Sequence, residues 1–145
     1  MKVIIGCDHG GFELKQEIKK YLNKEGIGYE DVGCFSTDAV DYPVIARKVT
    51  AAINEGSADK GILLCGTGIG ISMAANRVPG IRAALCTDCF MAEATRLHND
   101  ANVLCMGGRV VGPGLAVKIT DTFLKTDFSG EERHQRRINL IEGEQ

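Results

Sequence analysis

The sequence predicts one α/β domain, a three-layer α/β/α sandwich around a parallel sheet. Three observations predict it. Short apolar runs rich in Val, Ile and Leu alternate with segments whose apolar residues recur at helical spacing. The connections are short, and no repeat, linker or low-complexity tract interrupts them. The length of 145 residues suits a single domain and is enough to bury a core.

Taken in order, Lys2 to Cys7 is the first strand and runs straight into Asp8-His9-Gly10-Gly11. Leu14, Ile18, Tyr21 and Leu22 then fall on one stripe among lysines and glutamates, an amphipathic helix ending near Gly26. Tyr29 to Val32 reads as a second strand closed by Gly33. Asp41-Tyr42-Pro43 breaks the chain, and Pro43 suits a helix start. Val44, Ile45, Val49, Ala52 and Ile53 are expected on that helix's buried face, with Gly56 ending it. Gly61 to Cys65 is the third strand, followed by a glycine-rich loop and a helix reaching about Asn76. Ile81 to Cys86 is expected as the fourth strand and Phe90 to Leu97 as its helix. Asn102 to Met106 is the fifth, closed by Gly107-Gly108. Leu115 to Leu124 aligns Leu115, Ile119 and Phe123. Glu131 to Ile141 aligns His134, Ile138 and Ile141 in a C-terminal helix. Residues 1–145 thus form a Rossmann-like five-stranded parallel sheet with helices on both faces. Such sheets bind ligands beyond the carboxyl ends of their strands. That edge collects Asp8-His9, Cys65 to Gly70, Asp88 and Gly107 to Arg109.

Composition narrows the function classes. The formal charge of −2 suggests no general attraction to nucleic acid or anionic membrane. Met-Lys-Val-Ile-Ile-Gly turns to glycine too soon for a signal peptide, and no apolar run reaches the ~18 residues of a membrane span. A soluble, cytoplasmic protein is expected. Six cysteines are present. Cys7, Cys65, Cys86 and Cys105 lie in or at the ends of apolar runs and read as reduced core thiols. Cys86-Thr87-Asp88-Cys89 has redox or zinc spacing, but no second pair completes a metal site.

The most informative stretch is Leu63-Leu64-Cys65-Gly66-Thr67-Gly68-Ile69-Gly70-Ile71-Ser72. A buried strand delivers a thiol to a loop of little bulk that opens into a helix. Backbone N–H groups there can face an anion, and a helix N-terminus favours a thiolate. A plain tight turn fits the same residues. A dinucleotide fingerprint fails because Ile71 stands where the third glycine is needed, and no phosphate-loop lysine follows. Asp8-His9 sits at the ligand edge, where Asp8 can equally cap a turn. His98 ends a helix, where histidines often meet terminal carbonyls, yet it is suited to proton transfer near neutral pH. Arg133 and Arg137 share one helix face beside His134 and Arg136. They suit a solvated face or a phosphate clamp, to which Arg109 is a candidate third member.

Together these residues resemble the type B ribose-5-phosphate isomerase family, whose relatives act on allose and galactose 6-phosphates. The resemblance runs through Asp8-His9-Gly10-Gly11, Asp41-Tyr42-Pro43, Cys65 to Ser72 with Ala74-Ala75-Asn76, and Gly80-Ile81-Arg82-Ala83. It continues through His98-Asn99-Asp100-Ala101-Asn102-Val103, Gly108-Arg109-Val110-Val111-Gly112 and Arg133-His134-x-x-Arg137. It implies a metal-free, cofactor-free aldose–ketose isomerase of the pentose phosphate pathway. Ribose 5-phosphate and ribulose 5-phosphate would interconvert through an enediolate. Cys65 would be the C–H base; Ile71 stands where one branch carries a glutamate. Gly66, Gly68, Ile69 and Gly70 would supply the oxyanion cradle, Thr67 would pass a proton between O1 and O2, and His98 would open the furanose ring. Asp8 and Asn99 would bind hydroxyls; His9, Arg109, Arg133 and Arg137 would bind phosphate. The resemblance also implies a homodimer with shared sites, a tetramer remaining open. Two departures stand out: Glu131-Glu132 replaces the glycine usual before Arg133, and Cys89 is not a family feature. The alternatives are a 6-phosphohexose isomerase and, from another class, a non-catalytic sugar-phosphate or nucleotide-binding module.

Overall fold

A computed structural model describes residues 1–143. Its five strands are β1 (Lys2–Cys7), β2 (Gly28–Asp31), β3 (Lys60–Cys65), β4 (Ala83–Leu85) and β5 (Val103–Gly107). The helices are α1 (Phe12–Lys24), α2 (Tyr42–Asn54), α3 (Ile69–Asn76), α4 (Cys89–Asn99), α5 (Pro113–Lys125) and α6 (Glu132–Ile141), with a 3₁₀ turn at His9–Gly11. The strands pair in the order β2-β1-β3-β5-β4, all parallel.

Alternation along the strands divides the core into two layers. Val3, Ile5, Cys7, Ile62, Leu64, Leu104 and Met106 pack with α1, α4 and α5. Ile4, Leu63, Cys65, Val103 and Cys105 pack with α2 and α3. Strands buried on both faces are written as continuous apolar runs, which is how they read in the sequence. The expected α/β/α sandwich is the observed fold, and α6 packs on the outside of α4.

Three local expectations are corrected. The fourth strand is shorter than Ile81 to Cys86, because the backbone N–H of Arg82 is taken by the Asn102 side chain (2.9 Å) and that of Ile81 by Val78. The buried stripe of α2 is Ile45, Ala46, Val49 and Thr50, which turns Val44 outward; Ala52 and Ile53 are half-buried. In α5 and α6, Ile119, Phe123, His134 and Ile138 are buried as expected, but Leu115 and Ile141 are exposed. Among the described residues, no helix is long and apolar enough to cross a membrane.

Candidate active site

Cys65 is the last residue of β3 and is 4% exposed, its side chain in the α2–α3 layer. The chain turns at once so that α3 begins four residues later. Gly68 makes this turn at φ +80°, and a Cβ there would lie 2.6 Å from Leu85 Cδ1. Only glycine meets both demands. As a result the Gly68 N–H donates to Cys65 Sγ at 3.0 Å, placing a donor where it stabilises negative charge on sulfur. Burial pushes the thiols of Cys7 and Cys86 up to about 12 and raises that of Cys105 as well. Those three are core thiols, as the sequence suggests.

Neighbouring segments are tied to the same loop. Gly108 N–H donates to the Cys65 carbonyl (2.8 Å) and Arg109 N–H to that of Gly66 (3.0 Å). The Arg109 guanidinium lies across Gly66, and the Tyr42 ring lies against Gly70. Ile69 N–H donates to Thr67 Oγ1 at 3.2 Å, and Thr67 is exposed. Asp8 N–H donates to the Leu64 carbonyl, while Asp8 Oδ1 accepts the Gly10 N–H at 2.8 Å. Asp8 therefore does cap the following turn. Exposed His9 accepts the Val40 N–H on Nδ1 at 3.3 Å, which leaves the proton of its neutral ring on Nε2. Asp8, His9, Cys65 to Gly70 and Arg109 thus meet at the carboxyl edge of the sheet.

His98, Asn99, Arg133 and Arg137 do not meet them there. The helix α4 runs back against the strands, so His98 and Asn99 end at the amino edge. Arg82, just before β4, holds that end by donating from Nε to the Asn99 carbonyl (2.8 Å) and from Nη2 to that of Asp100 (3.0 Å). Gly61 and Cys65 pair with Val103 and Gly107, four steps apart. That separates the two edges by about 13 Å, with a further ~10 Å across two strands. On α6, exposed Arg133 and Arg137 flank buried His134, whose ring stacks on His98 with centroids 4.4 Å apart. Arg133 Nε also donates to Glu131 Oε2 at 2.8 Å. One chain therefore places the two groups of candidate residues at opposite edges of its sheet.

The Ribose/Galactose Isomerase family profile matches residues 3–141. The chain belongs to the ribose/galactose isomerase family. Ribose-5-phosphate isomerase B of Escherichia coli K12 is 47% identical, covering 97% of this chain and 93% of its own. Ribose-5-phosphate isomerase B of Clostridium thermocellum superposes with a TM-score of 0.96 at 52% identity, covering 99% of this chain and 96% of its own. Galactose-6-phosphate isomerase subunit LacB of Clostridium acetobutylicum is 38% identical over 98% of this chain and 82% of its own.

Tyr42, Arg82 and His134, to which the sequence pattern assigns no role, lie inside the segments that carry the family resemblance, and that is the signal available for them. The C-x-x-C pair separates into a buried Cys86 and a half-buried Cys89, both free thiols. No group of three or more His, Cys, Asp or Glu among the described residues is arranged to hold a metal ion.

Proposed function

We propose that this chain is an aldose–ketose isomerase interconverting ribose 5-phosphate and ribulose 5-phosphate, a step of the pentose phosphate pathway. The observation that carries the reading is Cys65 Sγ beneath the Gly68 N–H at the carboxyl edge of the sheet. It stands in a chain similar along its length to ribose-5-phosphate isomerase B.

The Cys65 thiolate removes the proton from C2 of the open-chain aldose, and the C2 electron pair moves toward C1 to give an enediolate. Amides of Gly66 and Gly70 stabilise the developing oxygen charge, joined by those of Gly68 and Ile69 as they turn from Cys65 Sγ and Thr67 Oγ1. Thr67 carries the proton from O2 to O1, and the Cys65 thiol returns its proton to C1 to form the ketose. The transfer is internal to the substrate, so no electron acceptor is consumed. Beforehand, His98 opens the furanose ring by moving a proton between the ring oxygen and the anomeric hydroxyl. Asp8 and Asn99 hold hydroxyls, and His9, Arg109, Arg133 and Arg137 hold the phosphate.

Because the two half-sites lie at opposite edges of one sheet, a complete site needs a second copy of the chain. A homodimer in which each copy lends His98, Asn99, Arg133 and Arg137 to the other supplies it. A second reading, a 6-phosphohexose isomerase, draws on the similarity to the LacB subunit. Comparing kcat/KM on ribose 5-phosphate with that on allose and galactose 6-phosphates decides between them. A clear preference for a hexose phosphate overturns the pentose assignment, and binding without turnover of any overturns the enzyme reading.

A further inference from the structure

The stack between His98 and His134 is not used by any role above. The two imidazoles lie 4.4 Å apart, 16° from parallel, a geometry in which flat rings make extended face contact. His98 is exposed, whereas His134 is 5% exposed and is seated by Ile138, one turn on and 4% exposed. One ring is therefore anchored in the α4–α6 interface and the other rests on it. The Nε2 atom of His134 is buried with no hydrogen-bond partner among the described residues. A side chain chosen for packing alone would be Leu or Phe, which leave no buried nitrogen unpaired. Burial, the adjacent His98, Arg133 and Arg137 also push the His134 imidazole below its ordinary pKa, and Glu131 only partly opposes them.

We propose that His134 is a positioning residue, a buried aromatic backstop that fixes the plane of the His98 ring for ring opening. The proposal rests on the reading of His98 as the ring-opening acid/base. Proton transfer to a ring oxygen needs the imidazole nitrogen within hydrogen-bond reach and in line, and an exposed ring free to swing about χ2 meets that geometry only part of the time. Face contact with an immobile ring removes that freedom without donating or accepting a proton. Phosphate held by Arg133 and Arg137, on the same helix as His134, would then sit at a fixed offset from the His98 ring.

The test compares His134→Phe, which keeps an aromatic face, with His134→Leu, which fills space without one. Both remove the unpaired nitrogen, so neither is expected to unfold the chain, and melting temperature checks this. Turnover is measured from ribose 5-phosphate, which is mostly cyclic, with hydrogen and with deuterium at C2. His134→Leu is expected to lower kcat about tenfold with KM little changed, and to shrink the isotope effect as ring opening becomes the slow step. His134→Phe stays within about threefold of the unaltered protein and keeps its isotope effect. An undiminished isotope effect in Leu, or Leu behaving like Phe, overturns the proposal. A second readout does not depend on activity: the His98 ring-proton resonances, shifted by the neighbouring ring, should persist in Phe and move to solution values in Leu. Resonances that do not move in Leu overturn the stack itself. Failure of the unaltered protein to isomerise ribose 5-phosphate instead overturns the functional reading and leaves the resonance comparison to judge the stack.

Discussion

Arg82 and Glu142 form a 2.6 Å ion pair that fastens the end of α6 to the start of β4. The same guanidinium donates to the carbonyls of Asn99 and Asp100 at the end of α4. One side chain therefore sets the spacing between the helix bearing His98 and Asn99 and the helix bearing Arg133 and Arg137. Charge-assisted bonds of this kind contribute about 2 kcal/mol each when well formed. Arg82→Ala is expected to lower kcat/KM about tenfold. Glu142→Gln, which leaves the two carbonyl contacts, should cost less than about threefold. Steady-state kinetics check both, with hydrogen exchange at the end of α4 reporting the loosening.

Cys65→Ala should lose about a thousandfold in kcat, in the range expected when a proton-transfer group is deleted, while still binding substrate. Calorimetry with ribose 5-phosphate separates the two effects. Cys89→Ser should leave kcat within about twofold, because that half-buried thiol packs on the core layer opposite the one that holds Cys65. Equal losses in the two variants would point to general thiol damage and not to a base at Cys65.

Glu131 occupies one side of Arg133 through an exposed ion pair 2.8 Å long. Pairs this exposed are worth at most about 1 kcal/mol, yet the pairing must be given up when the guanidinium turns to a phosphate. Glu131→Ala is expected to lower KM for the sugar phosphate about threefold with kcat unchanged. A KM that stays put or rises would mean that Glu131 orients Arg133 for its ligand.

Lys15 is fully buried and donates to Asp31 Oδ1 at 2.7 Å, with Lys19 on Oδ2 at 2.8 Å. Burial alone would raise the Asp31 carboxyl, but hydrogen bonds from Lys15, Lys19 and the Gly33 N–H outweigh it and hold it below the ordinary value of 3.8. A carboxylate whose folded value is depressed contributes stability above its unfolded value and loses it as pH falls through the folded one. Unfolding free energy should therefore decline from about pH 4 downward. Lys15→Met should cost about 3 kcal/mol at neutral pH and flatten that decline. Denaturant titrations at pH 7 and pH 3 measure both.

The helical stripe of α1 was legible because Leu14, Ile18, Tyr21 and Leu22 are apolar at regular spacing. Lys15 was not, since its burial depends on Asp31, which is near in space but sixteen residues away. The thiol loop was equally readable: a strand, a cysteine and alternating glycines leave few other shapes. What the chain order could not convey was on which edge each group would emerge. His98 and Cys65 look like neighbours in a list of polar candidates, and only the antiparallel run of α4 sends them apart. Val44 and Ile141 were misjudged for a related reason. Apolarity implies cover, but a single chain leaves both of these exposed.

If Cys65 and His98 act in one site, as proposed, their opposite placement makes competence a property of pairs of chains. Suppose two defective forms, Cys65→Ala and His98→Ala, are unfolded together and refolded in equal amounts. In a mixed dimer one site inherits both lesions and the other inherits neither. Random assortment puts half the dimers in that mixed class, so about a quarter of normal activity should return from two inactive preparations. Inheritance would then judge a mutation by which of its two sites it spoils, and two different faults in one cell could be less harmful than either alone.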